Sequence, residues 1–222
     1  MSLCTITTHA AVIVAAFGVA TGAAAEGPQD VVDDSVKALE ELSADPSMGW
    51  FRDNVQEAKA IVIVPNLVKA GFLAGASGGN GIAMTRSDRG WSHPSFVTMA
   101  SLTFGLQGGA QTGQLALLVM TDKGRDALLR NKFQLGGGIS VAEGPVEAGA
   151  PAATTDILAF SRSKGVFGGV AIEGATIAVR DSWNEQYYGK EGVRPEDILA
   201  SRNQVNPGAE KLRETAAAVG GP

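Results

Sequence analysis

The sequence predicts an α+β protein: a strongly curved, Gly-rich, mainly antiparallel β core of barrel-like form, flanked by N- and C-terminal helices. Three observations carry that expectation. Of the 29 glycines in 222 residues, 20 fall between Gly71 and Gly174, with hydrophobic residues in the gaps and no collagen-like triplet. Helical patterns mark the two ends of the chain, with one short helix between them after Thr121. The composition, 45% hydrophobic and 18% charged, is that of a chain with a core and excludes disorder of the whole.

The elements follow in order. Pro28 opens a helix with Val31, Val32, Val36, Leu39 and Leu42 on one face. Asp45-Pro46 is a cap and first-turn pair for a second helix carrying Met48, Trp50, Phe51 and Val55 to about Ala58. The period then changes. Ala60 to Val64 is a β-rich run stopped by Pro65, and Asn80-Gly81 reads as a two-residue hairpin turn between Phe72–Gly79 and Ile82–Arg86. Phe96 to Leu106 alternates as a long strand, and Leu115 to Met120 is a continuous apolar one. Thr121 caps a short helix whose last turn holds Arg130 and Lys132. Gln134 to Val146 and three runs between Thr155 and Asp181 give further strands. The last helix starts at Asn206-Pro207 and stops before Gly220.

The expected organisation is therefore a signal peptide over 1–25, N-terminal helices over 26–58, a β core over 59–181 and C-terminal helices over 182–222, all but the first in one domain. The first 25 residues contain no Lys, Arg, Asp or Glu and run through an apolar stretch into Ala23-Ala24-Ala25, an A-x-A cleavage pattern. Cleavage near Ala25 would export the protein to the periplasm or beyond and remove Cys4, the only cysteine, leaving a disulfide-free product.

Charge is unevenly distributed. The formal net charge is −5, yet Lys59 to Arg180 carries +4 and the remainder −9. A mildly basic core is too weakly charged for nucleic acid, and no nucleic-acid motif accompanies it. Catalytic motifs are decoys. Gly75-Ala76-Ser77-Gly78-Gly79 matches the nucleophile elbow G-x-S-x-G, but a hairpin rather than a helix is expected after it, and His93 follows too soon for the triad order. Ser161-Arg162-Ser163-Lys164 matches S-x-x-K without its partner motifs and reads as a polar turn. One histidine and no cysteine after residue 25 leave no metal ligand set, so neither metal nor cofactor is expected.

From Ala58 onward the chain resembles the SYLF domain family, also called Ysc84-type or DUF500. The resemblance rests on Ala58-Lys59-Ala60-Ile61, Pro65 to Phe72, Gly90-Trp91-Ser92-His93-Pro94-Ser95-Phe96 and Gly105-Leu106-Gln107. It continues through Phe133-Gln134-Leu135-Gly136, Ala142-Glu143-Gly144-Pro145, Ser161 to Gly169, and Asn184 through Tyr187-Tyr188-Gly189. It implies lipid binding: eukaryotic members bind phosphoinositide membranes, some bind actin, and bacterial members are commonly exported. The chain departs from the family at Gly137-Gly138-Ile139, where an acidic residue is frequent, and at Glu147, where Gly-Arg is common. Actin is not expected as a partner of an exported protein.

The resulting expectation is a non-enzymatic envelope protein that binds anionic phospholipid headgroups or amphiphilic lipid at a membrane surface. Its expected contacts are Lys69, Arg86, Arg89 and Trp91, with Arg125, Arg130, Lys132, Arg162 and Lys164. The cations would hold phosphate by charge-assisted hydrogen bonds, and Trp91 would sit at headgroup level. Plainer roles stand beside these. Lys123, Arg125 and Arg130 decorate an exposed helix, Trp91 plugs the core, and Arg162 and Lys164 are solvated turn residues. A periplasmic structural or protein-interaction module without lipid dependence is the alternative, and a serine hydrolase using Ser77 the third reading.

Overall fold

The computed structural model describes residues 26–71, 74–104, 109–136, 138–143, 155–164, 172 and 174–219. The expected signal peptide and its cleavage site lie outside the described residues, as do Leu106, Gly137 and Glu147.

Helix α1 (Pro28–Ala44) starts with proline at its first position, and the Asp30 carboxylate accepts the Gly27 N–H at 2.8 Å. Its Val31, Val32, Val36, Leu39 and Leu42 are buried, as the 3.6-residue period requires. The Asp45 side chain caps a short 3₁₀ turn, Pro46–Met48, by accepting from Ser47 N, and the chain continues into α2 (Gly49–Val55). At the other end, Asn206 Oδ1 accepts from Gly208 N and starts the turn into α5 (Glu210–Ala218). These helices and α4 (Asp181–Tyr188) cover one face of a single sheet.

The strands are β1 (Ala60–Gly71), β2 (Ala74–Ser87), β3 (Gly90–Trp91), β4 (Ser95–Phe104), β5 (Gly109–Val119), β6 (Lys132–Gln134), β7 (Val141–Glu143), β8 (Ile157–Lys164) and β9 (Thr176–Val179). Eight of them pair in the order β6-β9-β4-β2-β1-β5-β8-β7, with β3 on β2, and curl into a half-barrel. Every pairing is antiparallel except β7 with β8. The α+β expectation with flanking helices is met.

Why the central strands are apolar on both sides follows from the layers. Ile61, Ile63, Ile82, Met84, Phe96 and Phe160 face α1, α2, α4 and α5. Phe51 meets Phe160 edge-on at 5.3 Å between ring centroids, and Tyr187 meets Phe96 at 5.0 Å. Val62, Val64, Val97, Leu115 and Leu117 face the opposite way, covered by α3 (Asp122–Leu128) and the five-residue π-helix Glu196–Ala200.

Three local expectations are corrected. Asn80-Gly81 is no turn. Strand β2 runs straight through it, and β1, ending at Gly71, is paired antiparallel with β2 from Gly75 onward. A Cβ on Gly81 would collide with Ile63 O and one on Gly79 would lie 2.7 Å from Asn66 O, so these glycines admit the close approach of β1 where its register shifts. Pro65 does not stop β1, because the register shifts between Val64 and Leu67 and the bulge takes the residue that cannot donate. Neither Arg130 nor Lys132 lies in the last turn of α3, which ends at Leu128: Arg130 stands just beyond it and Lys132 on β6.

Candidate functional site

The nine expected contacts divide by place. Lys69 lies near the end of β1 that carries Gly71. Arg130 and Lys132 are exposed around the start of β6. Arg162 stands in strand β8, not in a turn, and its guanidinium is held by Glu41 at 2.6 Å and Asp45 at 3.2 Å. Lys164 ends the same strand, in register with Thr112. Trp91 is 3% exposed, so it plugs the core as its plainer role had it and does not stand at headgroup level.

Arg86, Arg89 and Arg125 converge. Arg86 closes β2, Arg89 lies in the turn before Gly90, whose φ of 81° suits glycine, and Arg125 projects from α3. Together with Arg202 they line a cavity of about 260 Å³, with Thr85, Ser87, Leu129, Leu199 and Ala200 as its remaining wall. Four guanidinium groups and no carboxylate line it.

Each arginine is positioned differently. Arg86 donates to the carbonyl of Gln56 and to Gln56 Oε1 at 2.8 Å, and its guanidinium lies 5.8 Å from the centre of the Trp91 ring. Arg202 donates to Gly90 O at 2.8 Å and Thr85 O at 2.9 Å, tying the π-helix exit to the turn that carries Arg89. Its φ of 55° is the only positive value of a non-glycine among the described residues, a conformation that costs about 1 kcal/mol or more. Burial, with Arg89 and Arg213 nearby, pushes the Arg202 guanidinium below its ordinary range. Arg125 is shared with Asp122 at 2.9 Å and Asp126 at 3.0 Å. Arg89 is exposed, and no ion pair engages it among the described residues. Arg125 is thus already offset by two carboxylates, and it is Arg86, Arg89 and Arg202 that gather like charge around a partly apolar floor, which an anion would relieve.

A larger cavity of about 900 Å³ lies among α1, α2 and α5. Glu40, Asp53 and Glu214 line it beside Arg52 and Lys211, three acids against two bases, so it does not favour an anion.

The catalytic decoys dissolve in the fold. Ser77 is a strand residue in register with Lys69 and Ser101, and no helix follows it. His93 packs instead near the start of α5, with Asn206 N donating to its Nδ1 at 3.4 Å. No cluster of three metal-ligating side chains occurs among the described residues, and no helix among them is long and apolar enough to cross a membrane.

Arg202 escaped the sequence reading. It lies in the acidic C-terminal part, and neither its left-handed backbone nor its approach to the β2–β3 turn leaves a trace in local pattern.

Fold and site thus define a class: a mixed α+β module presenting an arginine-lined pocket at one end of a half-barrel. Residues 100–219 match the family described as Ysc84, Las17-binding protein actin regulator. The chain is 33% identical over 167 residues to Protein YSC84 of Saccharomyces cerevisiae, covering 71% of this chain and 35% of that protein. It is 31% identical over 167 residues to human SH3 domain-containing YSC84-like protein 1, covering 72% and 48%. To LAS seventeen-binding protein 3 of S. cerevisiae it is 31% identical over 169 residues, covering 72% and 36%. The chain belongs to the Ysc84 family. It spans between a third and a half of the length of these relatives.

Proposed function

We propose that the protein is a non-enzymatic binding module for anionic phospholipid headgroups, acting in the cell envelope after export. The observation that carries this reading is the pocket of Arg86, Arg89, Arg125 and Arg202, lined by no carboxylate. Guanidinium groups hold phosphate oxygens through paired, charge-assisted hydrogen bonds. Leu129, Leu199 and Ala200 give the pocket an apolar wall against which the glycerol end of a lipid can rest. The family descriptions support a binding role, since they name binding and regulatory proteins. Vesicle flotation tests it. The protein floats with vesicles containing anionic lipid at low salt, floats less as salt rises, and stays down with neutral vesicles. Equal flotation with both vesicle types would refute the headgroup reading.

A further inference from the structure

The cavity of about 900 Å³ among α1, α2 and α5 is graded in burial. Thr215 and Val219 are buried at its floor, and Ser43, Arg52 and Gln56 are half-buried in its walls. Glu40, Asp53, Lys211 and Glu214 stand exposed at its rim.

The two cations are already committed. Arg52 Nη1 donates to Ser43 O at 3.0 Å and Asp45 O at 2.7 Å, so its charge answers the C-terminal end of α1. Lys211 lies 3.7 Å from Glu40. Negative groups are left over. Asp53 and Glu214 make no ion pair among the described residues. The last turn of α5 carries no basic residue, and Thr215 and Ala218 of that turn line the cavity, so the negative end of the helix meets it too. The neutral Gln56 amide caps that end, donating to the Val219 carbonyl.

An independent observation sits at the floor. Thr215 is 9% exposed, and its Oγ1 is buried without a hydrogen-bond partner among the described residues. Buried hydroxyls nearly always find a partner, and a helical one ordinarily returns to a carbonyl of the preceding turn. This one is left for a ligand.

The chemistry narrows that ligand. Two unpaired carboxylates, a helix C-terminus and a hydroxyl suit a cation that donates hydrogen bonds. A metal ion fits poorly, since no three metal-ligating side chains cluster among the described residues. A quaternary ammonium is held by aromatic faces, and no aromatic residue lines the cavity. A primary ammonium has three N–H donors to offer both kinds of oxygen.

We propose that this cleft binds a primary alkylammonium group, carried either by a free amine or by an ethanolamine lipid headgroup. Asp53 and Glu214 draw the cation in, and Thr215 Oγ1 accepts one of its N–H bonds. The cleft shares no lining residue with the arginine pocket, takes the opposite charge, and does not depend on that pocket binding lipid.

The test is calorimetric titration of the full chain. One arm uses 1,4-diaminobutane, with tetramethylammonium for comparison. The other uses dihexanoyl phosphatidylethanolamine below its micelle concentration, with dihexanoyl phosphatidylcholine for comparison. Saturable binding of the diamine assigns the site to a bare ammonium group; binding of the phosphatidylethanolamine alone assigns it to a lipid headgroup. In either case the quaternary compounds bind about tenfold or more weakly. Asp53→Asn and Glu214→Gln, made singly at exposed positions, keep the melting temperature and weaken binding about tenfold. Thr215→Val, which preserves the shape and removes the hydroxyl, also weakens it. No binding in either arm, equal binding of the quaternary compounds, or binding that survives Asp53→Asn and Glu214→Gln in folded protein overturns the proposal.

Discussion

Arg162 Nη1 lies 2.6 Å from Glu41 Oε2, and this ion pair ties strand β8 to helix α1 across the edge of the sheet. The same guanidinium reaches Asp45, which caps the turn after that helix. A cation chosen from sequence for its fit to phosphate is thus already neutralised by two carboxylates.

The first prediction follows from that pairing. Arg162→Ala keeps its flotation with anionic vesicles and loses about 1 kcal/mol or less of stability, because both partners of the bridge are partly solvated. Urea denaturation and flotation on the same preparation check it. Loss of flotation in a folded variant would return Arg162 to the lipid site.

A second prediction separates two kinds of glycine. A Cβ at Gly81 collides with Ile63 O, whereas one at Gly90 meets nothing within 4 Å, although its φ is 81°. Gly81→Ala therefore costs about 3 kcal/mol through the forced shift of β1, and Gly90→Ala about 1–2 kcal/mol through its backbone alone. Comparing the two denaturation midpoints decides it. Equal costs would mean that β1 yields freely at the bulge.

The third prediction concerns acid. Asp156 is 6% exposed, and burial pushes its carboxyl up. Hydrogen bonds from the Thr121 hydroxyl, the Ser140 N–H and hydroxyl, and Lys123 outweigh that and hold it down to about 2. A carboxylate depressed in the folded state stabilises above its unfolded value near 4, and that contribution disappears as pH falls from there through about 2. It amounts to about 2 kcal/mol at neutral pH. Asp156→Asn should lose that amount at pH 7 and show a flatter stability profile between pH 4 and 2. An unchanged profile would mean that these four donors do not act on the carboxylate.

Much of the fold was legible because it rests on local chemistry. Pro28, Asp45-Pro46, Thr121 and Asn206-Pro207 mark helix starts through caps that need only their own neighbours, and the structure places all four where the pattern did. The hairpin misreading at Asn80-Gly81 has the opposite origin. A glycine required by a strand from elsewhere in the chain looks the same in sequence as a glycine required by a turn. Residues of the site show the same division. Arg86, Arg89 and Arg125 stood out as cations within a basic segment, while Arg202 came to the pocket through tertiary packing that no local pattern records. Trp91 was ambiguous for a related reason, since its side chain serves a core and an interface equally well until its burial is known.

The measurement that bears most directly on the arginine pocket is flotation of the Arg89→Glu variant beside the unsubstituted protein, with anionic vesicles across a salt series. Arg89 is exposed, so its reversal leaves the fold intact. The account predicts that the variant keeps its melting temperature, loses about tenfold or more in vesicle affinity at low salt, and shows a shallower salt dependence. Unchanged affinity in a folded variant would contradict it and take the headgroup site away from this end of the half-barrel.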